Sequence, residues 1–174
     1  MIARLSAEVS PYPLTVVHVG IGELVVSRDP EQTLAAYGLG SCVAVAAWDR
    51  PSRTGGMVHI MLPDSTAGPR RLGPTSFGDT GVRALIETME GQGASRERLA
   101  VKIAGGAQVL SLGEHQDGFA IGRRNIEAVR EALRRLGLTV LAEDVGGTTG
   151  RTLLLHVATG RTTVQAIGRP PRDL

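Results

Sequence analysis

One thiol and four imidazoles limit the side-chain chemistry open to this chain. The only cysteine, Cys42, directly follows the turn Gly38-Leu39-Gly40-Ser41 and opens the apolar run Val43 to Trp48. Glycines ahead of a nucleophile let the backbone approach a substrate closely, and they leave neighbouring N–H groups free to bind an oxyanion. His59 stands 17 residues further on, in a run that reads as the hairpin partner of the Cys42 strand. If the two side chains meet, the imidazole takes the thiol proton, and an imidazolium beside the sulfur favours the thiolate nucleophile. The spacing also admits a structural reading, because free cysteine is among the most buried residue types.

The other candidates are weaker. His18 and His156 fall inside strand patterns and read as satisfied structural histidines. His115 lies in a polar segment beside Glu114 and Asp117, with too few further ligands nearby for a metal site, so no metal is expected. A single cysteine excludes an internal disulfide and a cysteine-based zinc site. Gly20-Ile21-Gly22 lacks the third glycine of a dinucleotide fingerprint and precedes a strand. Gly146-Gly147-Thr148-Thr149-Gly150 lacks the Lys-Ser/Thr of a phosphate-binding loop and reads as a flexible turn.

The elements that must position Cys42 and His59 follow from the apolar pattern. Glu23 to Ser27, Val43 to Trp48 and Gly56 to Leu62 read as strands, the last two joined as a hairpin around Asp49 to Gly55. The nearly continuous apolar run Val43 to Trp48 suits a strand buried on both faces. Leu14 to Val19, Thr33 to Tyr37, Leu99 to Ala104, Leu138 to Ala142, Thr152 to Val157 and Thr162 to Ile167 read as further strands. Two helices are expected. One starts near Asp79 or Thr80 and places Val82, Leu85, Ile86 and Met89 on one face; the other runs from Asn125 to Leu136. Ser65 to Pro74 reads as a mobile surface segment, and Gln108 to Gly118 as a loop. The pattern predicts an α+β layered sandwich: largely antiparallel sheet, with two main helices packed on it, in one domain. Its expected parts are an N-terminal extension over 1–13, the domain over 14–168 and a loose C-terminal tail over 169–174.

Composition narrows the class. The chain of 174 residues is 42% hydrophobic and 21% charged, with net charge +2, which fits a folded domain. Aromatics make up only 3%, which argues against a stacking platform for single-stranded nucleic acid. The longest apolar run, Cys42 to Trp48, is far short of the ~20 residues of a membrane span. The first residues lack the apolar block of a secretory signal, so the expected compartment is the cytoplasm.

Six ordered blocks resemble the CheD family, the chemoreceptor glutamine deamidases of bacterial and archaeal chemotaxis. They are Val19 to Glu23, Gly38 to Val45, His59 to Ser65, Lys102 to Ala107, Ile121 to Asn125 and Ala142 to Gly147. The resemblance runs from about Val19 to Val164. It implies hydrolysis of selected glutamine side chains on methyl-accepting chemotaxis receptors, giving glutamate and ammonia without a cofactor. The family's nucleophile falls on Cys42 and its base on His59, with Gly40 and Ser41 as oxyanion and support residues. The partners implied are receptor cytoplasmic helices and a CheC-type phosphatase of phosphorylated CheY, with no nucleic acid and no membrane insertion.

The sequence departs from the family at one position. The third catalytic member is usually a threonine six residues before the cysteine, and Ala36 stands there. Thr33 and Tyr37 lie at odd spacing from it and point to the opposite face of a strand. Either the Ala36 carbonyl or another group orients His59, or activity is weakened. The alternative function is therefore a weakly active or non-catalytic regulator that binds receptors and the CheC-type phosphatase.

Overall fold

The computed structural model describes residues 15–69, 71–108 and 117–174. The described residues form ten strands in two five-stranded sheets, with two α-helices. The strands are β1 (Thr15–His18), β2 (Leu24–Ser27), β3 (Gln32–Leu39), β4 (Val43–Asp49), β5 (Thr54–Ile60), β6 (Ala100–Gly105), β7 (Val140–Val145), β8 (Arg151–His156), β9 (Thr162–Ala166) and β10 (Arg172–Asp173). The helices are α1 (Gly78–Gly91) and α2 (Asp117–Arg135). The first sheet runs β1-β3-β8-β9-β10 and the second β2-β5-β4-β6-β7. Each is antiparallel except for one pair, β1 with β3 and β6 with β7.

The expected layered α+β class is what forms, as three layers. The second sheet lies in the middle, with the first sheet on one face and both helices on the other. Side chains alternate along a strand, so Val43, Val45 and Ala47 of β4 and Val58 and Ile60 of β5 face the helices. Ala44, Ala46 and Met57 face the first sheet. Helix α1 meets this surface with Val82, Leu85, Ile86 and Met89, all fully buried, and α2 with Ile126, Val129 and Leu133. The apolar run in β4 is continuous because neither of its faces meets water. Small residues set the spacing: a Cβ on Gly56 would lie 2.8 Å from both Leu85 and Met89.

The hairpin of β4 and β5 forms with Val43 opposite Ile60 and Ala44 opposite His59. Its loop end is tied to the chain ahead of β6. The buried Asp49 carboxylate accepts from Ser52 Oγ at 2.8 Å, from Ser95 N at 3.2 Å and from the Arg98 guanidinium at 2.8 and 3.0 Å. The guanidinium, foremost, holds the Asp49 carboxyl below its usual range.

Three expectations are corrected. Helix α2 begins at Asp117 rather than Asn125, and Gly122 is an interior helix residue. A Cβ there would lie 2.6 Å from the Gly106 carbonyl oxygen, so close packing calls for the glycine. The 169–174 tail is not loose: β10 pairs with β9, and Leu174 N donates to Thr162 O at 2.9 Å. The expected mobile segment Ser65 to Pro74 is anchored in its described part. Ser65 donates from N and Oγ to Asp79, and Gly68 lies against the Phe77 ring. The extension over 1–13 lies outside the described residues, as does His115.

The middle layer makes a stability prediction. Leu85→Ala should destabilise the protein by about 2–5 kcal/mol, because the cavity it leaves is closed in by α1 and the second sheet. Leu141→Ala, at a side chain 62% exposed, should change stability by less than about 0.5 kcal/mol. Denaturant titration of both variants with unchanged m-values checks the contrast.

Candidate active site

The β4–β5 register brings Cys42 and His59 to one face. His59 is directly opposite Ala44, and Cys42 is two residues before Ala44, so both side chains face the first sheet. Diagonal neighbours of this kind stand about 7–8 Å apart at Cα, within reach of longer side chains. Cys42 is half-buried at the edge of the core between the sheets, and His59 is 2% exposed.

The ring of His59 is held from one side only. Nδ1 lies 3.1 Å from the Val19 carbonyl oxygen. A carbonyl can only accept, so Nδ1 carries the proton, and in the neutral ring Nε2 presents a lone pair. Among the described residues, the buried Nε2 has no hydrogen-bond partner. Val19 is fixed in turn by its own N–H, which donates to Ala35 O at 2.8 Å. The turn that follows Val19 also docks on His59: Gly22 N donates to His59 O at 2.8 Å and His59 N to Glu23 O at 3.0 Å.

Burial dominates the electrostatics of both groups. It pushes the Cys42 thiol above its ordinary range, while the residue's own backbone N–H pulls it partway back. Burial lowers His59 below the usual histidine range, opposed by the hydrogen bond to Val19. Both shifts favour the uncharged forms, the thiol and the neutral imidazole.

The backbone around the thiol is clamped through its carbonyls. Ala107 N donates to Gly40 O at 2.6 Å, and Gly106 N donates to Cys42 O at 2.7 Å. The carboxamide of Asn125, on α2, donates to Ser41 O at 2.9 Å and to Met61 O at 3.0 Å. A trans peptide points its C=O and the following N–H in opposite directions, so these bonds fix the directions of the Ser41, Cys42 and Val43 N–H groups. Gly105 makes the approach possible: at φ +118° its Cβ would lie 2.1 Å from Cys42 O. Behind it, the buried Arg151 guanidinium donates to Gly105 O, Asp144 O and Gly146 O, and so fixes the Gly-rich turn. That turn is a braced element of the site rather than a flexible loop.

The remaining sequence candidates separate from the pair. Thr33 Oγ1 and His156 Nδ1 lie 3.0 Å apart, and His18 stacks near Tyr37 with ring centroids 5.6 Å apart. Ala36 is fully buried in the core that Cys42 borders, while Tyr37 of the same strand is 49% exposed, as the strand parity requires. The group on His59 Nδ1 is the Val19 carbonyl. Sequence reasoning missed Val19, Asn125 and Arg151. The first acts through its backbone and leaves no side-chain signal, and the other two read as ordinary helix and strand residues.

Comparison with known proteins places the chain. A family model described as CheD chemotactic sensory transduction matches residues 61–166. A protein of Symbiobacterium thermophilum named "Probable chemoreceptor glutamine deamidase CheD" is 49% identical over 157 residues, covering 90% of this chain and 95% of that protein. One of Halalkalibacterium halodurans, named "Chemoreceptor glutamine deamidase CheD", is 40% identical over 160 residues, covering 91% and 98%. Among solved structures, Bacillus licheniformis hypothetical protein YfiH is similar at TM-score 0.45 and 13% identity, over 70% of this chain and 49% of that one. With the family model spanning more than half of its length and relatives 40% and 49% identical along about nine-tenths of it, this chain belongs to the CheD family.

Proposed function

We propose that this protein deamidates glutamine side chains of chemotaxis receptors, with Cys42 as nucleophile and His59 as general base and acid. The observation that carries the reading is the His59 tautomer: Nδ1–H is committed to the Val19 carbonyl, and a buried, unpartnered Nε2 is left on the face it shares with Cys42. The names of the relatives supply the substrate class.

The reaction uses no preformed thiolate. As Sγ attacks the carboxamide carbon, its proton passes to His59 Nε2 and the C=O pair moves onto oxygen. The backbone N–H of Cys42 meets the oxyanion, with Gly40 and Ser41 setting the peptide planes. Collapse of the tetrahedral intermediate breaks the C–N bond, and His59 returns the proton to nitrogen, releasing ammonia and leaving a thioester. Water then attacks the thioester with His59 again taking a proton. Cys42 leaves and is reprotonated, and the product is glutamate. A neutral resting pair suits this cycle, because the imidazole must take a proton before it gives one.

The regulatory alternative rests on Ala36. A hydroxyl there is one way to orient the base, and the Val19 carbonyl supplies another. The expected partners are receptor cytoplasmic helices and a CheC-type phosphatase, and the expected compartment is the cytoplasm.

The direct test is mass spectrometry of a receptor cytoplasmic fragment before and after incubation. A Gln-to-Glu mass change is expected with the unmodified protein and none with Cys42→Ala or Cys42→Ser, both folded. Turnover by Cys42→Ala would sink the reading.

The pH dependence follows from the neutral pair. The acid limb of kcat/KM should lie below the ordinary histidine value of about 6.5, with a plateau extending up toward the raised thiol value. A single limb rising only above the ordinary thiol value would instead indicate a thiolate acting without the base. Because the folded state binds the His59 proton more weakly than the unfolded chain, stability should also fall as pH drops from about 6.5 through the lowered folded value. Denaturant midpoints measured across that window read this, and His59→Gln should flatten it.

Ala36→Thr tests the empty family position. With Nδ1 already held by Val19, the added hydroxyl should change single-turnover rates by less than about threefold, a free-energy change under roughly 1 kcal/mol. A tenfold gain in rate would mean that the Val19 carbonyl does not suffice.

A further inference from the structure

Asn125 lies at the point where the β4–β5 ladder opens. The paired register ends at Val43 and Ile60, and Cys42 and Met61 are the next residues on each side. Met61 N turns away to donate to Ser76 O at 2.9 Å. Between the two chains sits the Asn125 carboxamide, fully buried, with its Nδ2 hydrogens on Ser41 O and Met61 O. Its Oδ1 has no partner among the described residues. A buried carboxamide whose acceptor is unpaired carries a desolvation cost, so its value lies in the two bonds that it donates.

Those two bonds fix a peptide plane that matters to the reaction. The Ser41 carbonyl and the Cys42 N–H share one planar unit, so gripping the oxygen aims the hydrogen. The same side chain ties that unit to Met61, two residues beyond His59. A continued β4–β5 ladder would also have satisfied the carbonyls, but the paired register stops at Val43 and Ile60. The side chain satisfies them and leaves the ladder open.

We infer that Asn125 is a positioning residue that holds the Cys42 N–H in line for the oxyanion and fixes the nucleophile's peptide relative to the strand of the base. The inference rests on the proposed role of Cys42 as nucleophile. It is separate from the formation of the thiol itself, since the carboxamide bonds no side-chain atom of Cys42 or His59.

The test separates acyl chemistry from thiol reactivity. Asn125→Ala and Asn125→Leu are assayed for deamidation of a chemoreceptor cytoplasmic fragment and, in parallel, for alkylation of Cys42 by iodoacetamide, which forms no oxyanion. Expected is a fall in kcat of about 10- to 100-fold in a folded variant, with KM and the alkylation rate within threefold of the unmodified protein. A folded variant with kcat within threefold overturns the assignment. So does a parallel fall of kcat and alkylation, which marks general damage to the β4 entry, or a change confined to KM. Unfolding of both variants assigns Asn125 to the fold alone and overturns it as well. Cys42→Ala is run alongside. Turnover by that variant, or none by the unmodified protein, removes the nucleophile reading and the inference with it. An inactive Cys42→Ala beside fully active Asn125 variants removes only the inference.

Discussion

The two central hairpin strands of the middle sheet, β4 and β5, have no solvent face. Helices cover one side of β4 and β5 and the first sheet covers the other, so nearly every side chain on these strands is apolar and buried. In that setting a polar residue must be held by hydrogen bonds or carry a desolvation cost. His59 is the clearest exception on β5. One of its nitrogens is satisfied by the Val19 carbonyl and the other is not. The properties proposed for the site come from that asymmetry. Burial keeps the ring neutral, the carbonyl selects the tautomer, and the free nitrogen faces the side of the sheet where Cys42 sits. The same burial raises the thiol above its ordinary range.

Support for the site comes largely from backbone rather than from charged side chains. Carbonyls of Gly40, Ser41 and Cys42 are gripped from two other parts of the chain: Gly40 and Cys42 by the N–H groups of Ala107 and Gly106, in the elbow Gly105 to Ala107 that ends β6, and Ser41 by Asn125 of helix α2. Gly105 and Gly122 allow that approach, since a Cβ on either would lie within 2.6 Å of a backbone oxygen. Arg151 braces the elbow from behind through three further carbonyls. A network of this kind places amide directions through rigid peptide planes, with little rotamer freedom to lose. The imidazole is likewise held by a backbone group, the Val19 carbonyl.

The two helices serve the site unequally. Helix α1 supplies most of the apolar cover over β5 and β2 and receives the Ser65 anchor at Asp79. Helix α2 covers β4 and β7 and also sends Asn125 into the opening of the ladder. The charged residues farther along α2 pair among themselves on its exposed face, as Glu131 does with Arg134 and Arg135. Those arginines form a solvated helix face rather than an anion site.

Much of this was legible in the sequence because it depends on local patterns. Alternation and apolar runs marked the strands that carry Cys42 and His59, and the hairpin spacing put the two residues on neighbouring strands. The parity of β3 put Ala36 on the inner face and Tyr37 on the outer one, for the same reason: side chains alternate whatever packs against them. What depends on distant partners was not legible. The early start of α2 was one such feature, because Gly122 packs against the Gly106 carbonyl far from it in sequence. The tail looked loose until β9 offered it an edge. The direction in which each group's proton affinity shifts was not legible either, because burial is set by the layers stacked above and below β5, and no spacing between residues 42 and 59 encodes them. The identity of the reactive groups was thus determined by the residues themselves. Their tautomer, charge and orientation were decided only by the tertiary structure, since each depends on a backbone carbonyl or a covering layer contributed from elsewhere in the chain.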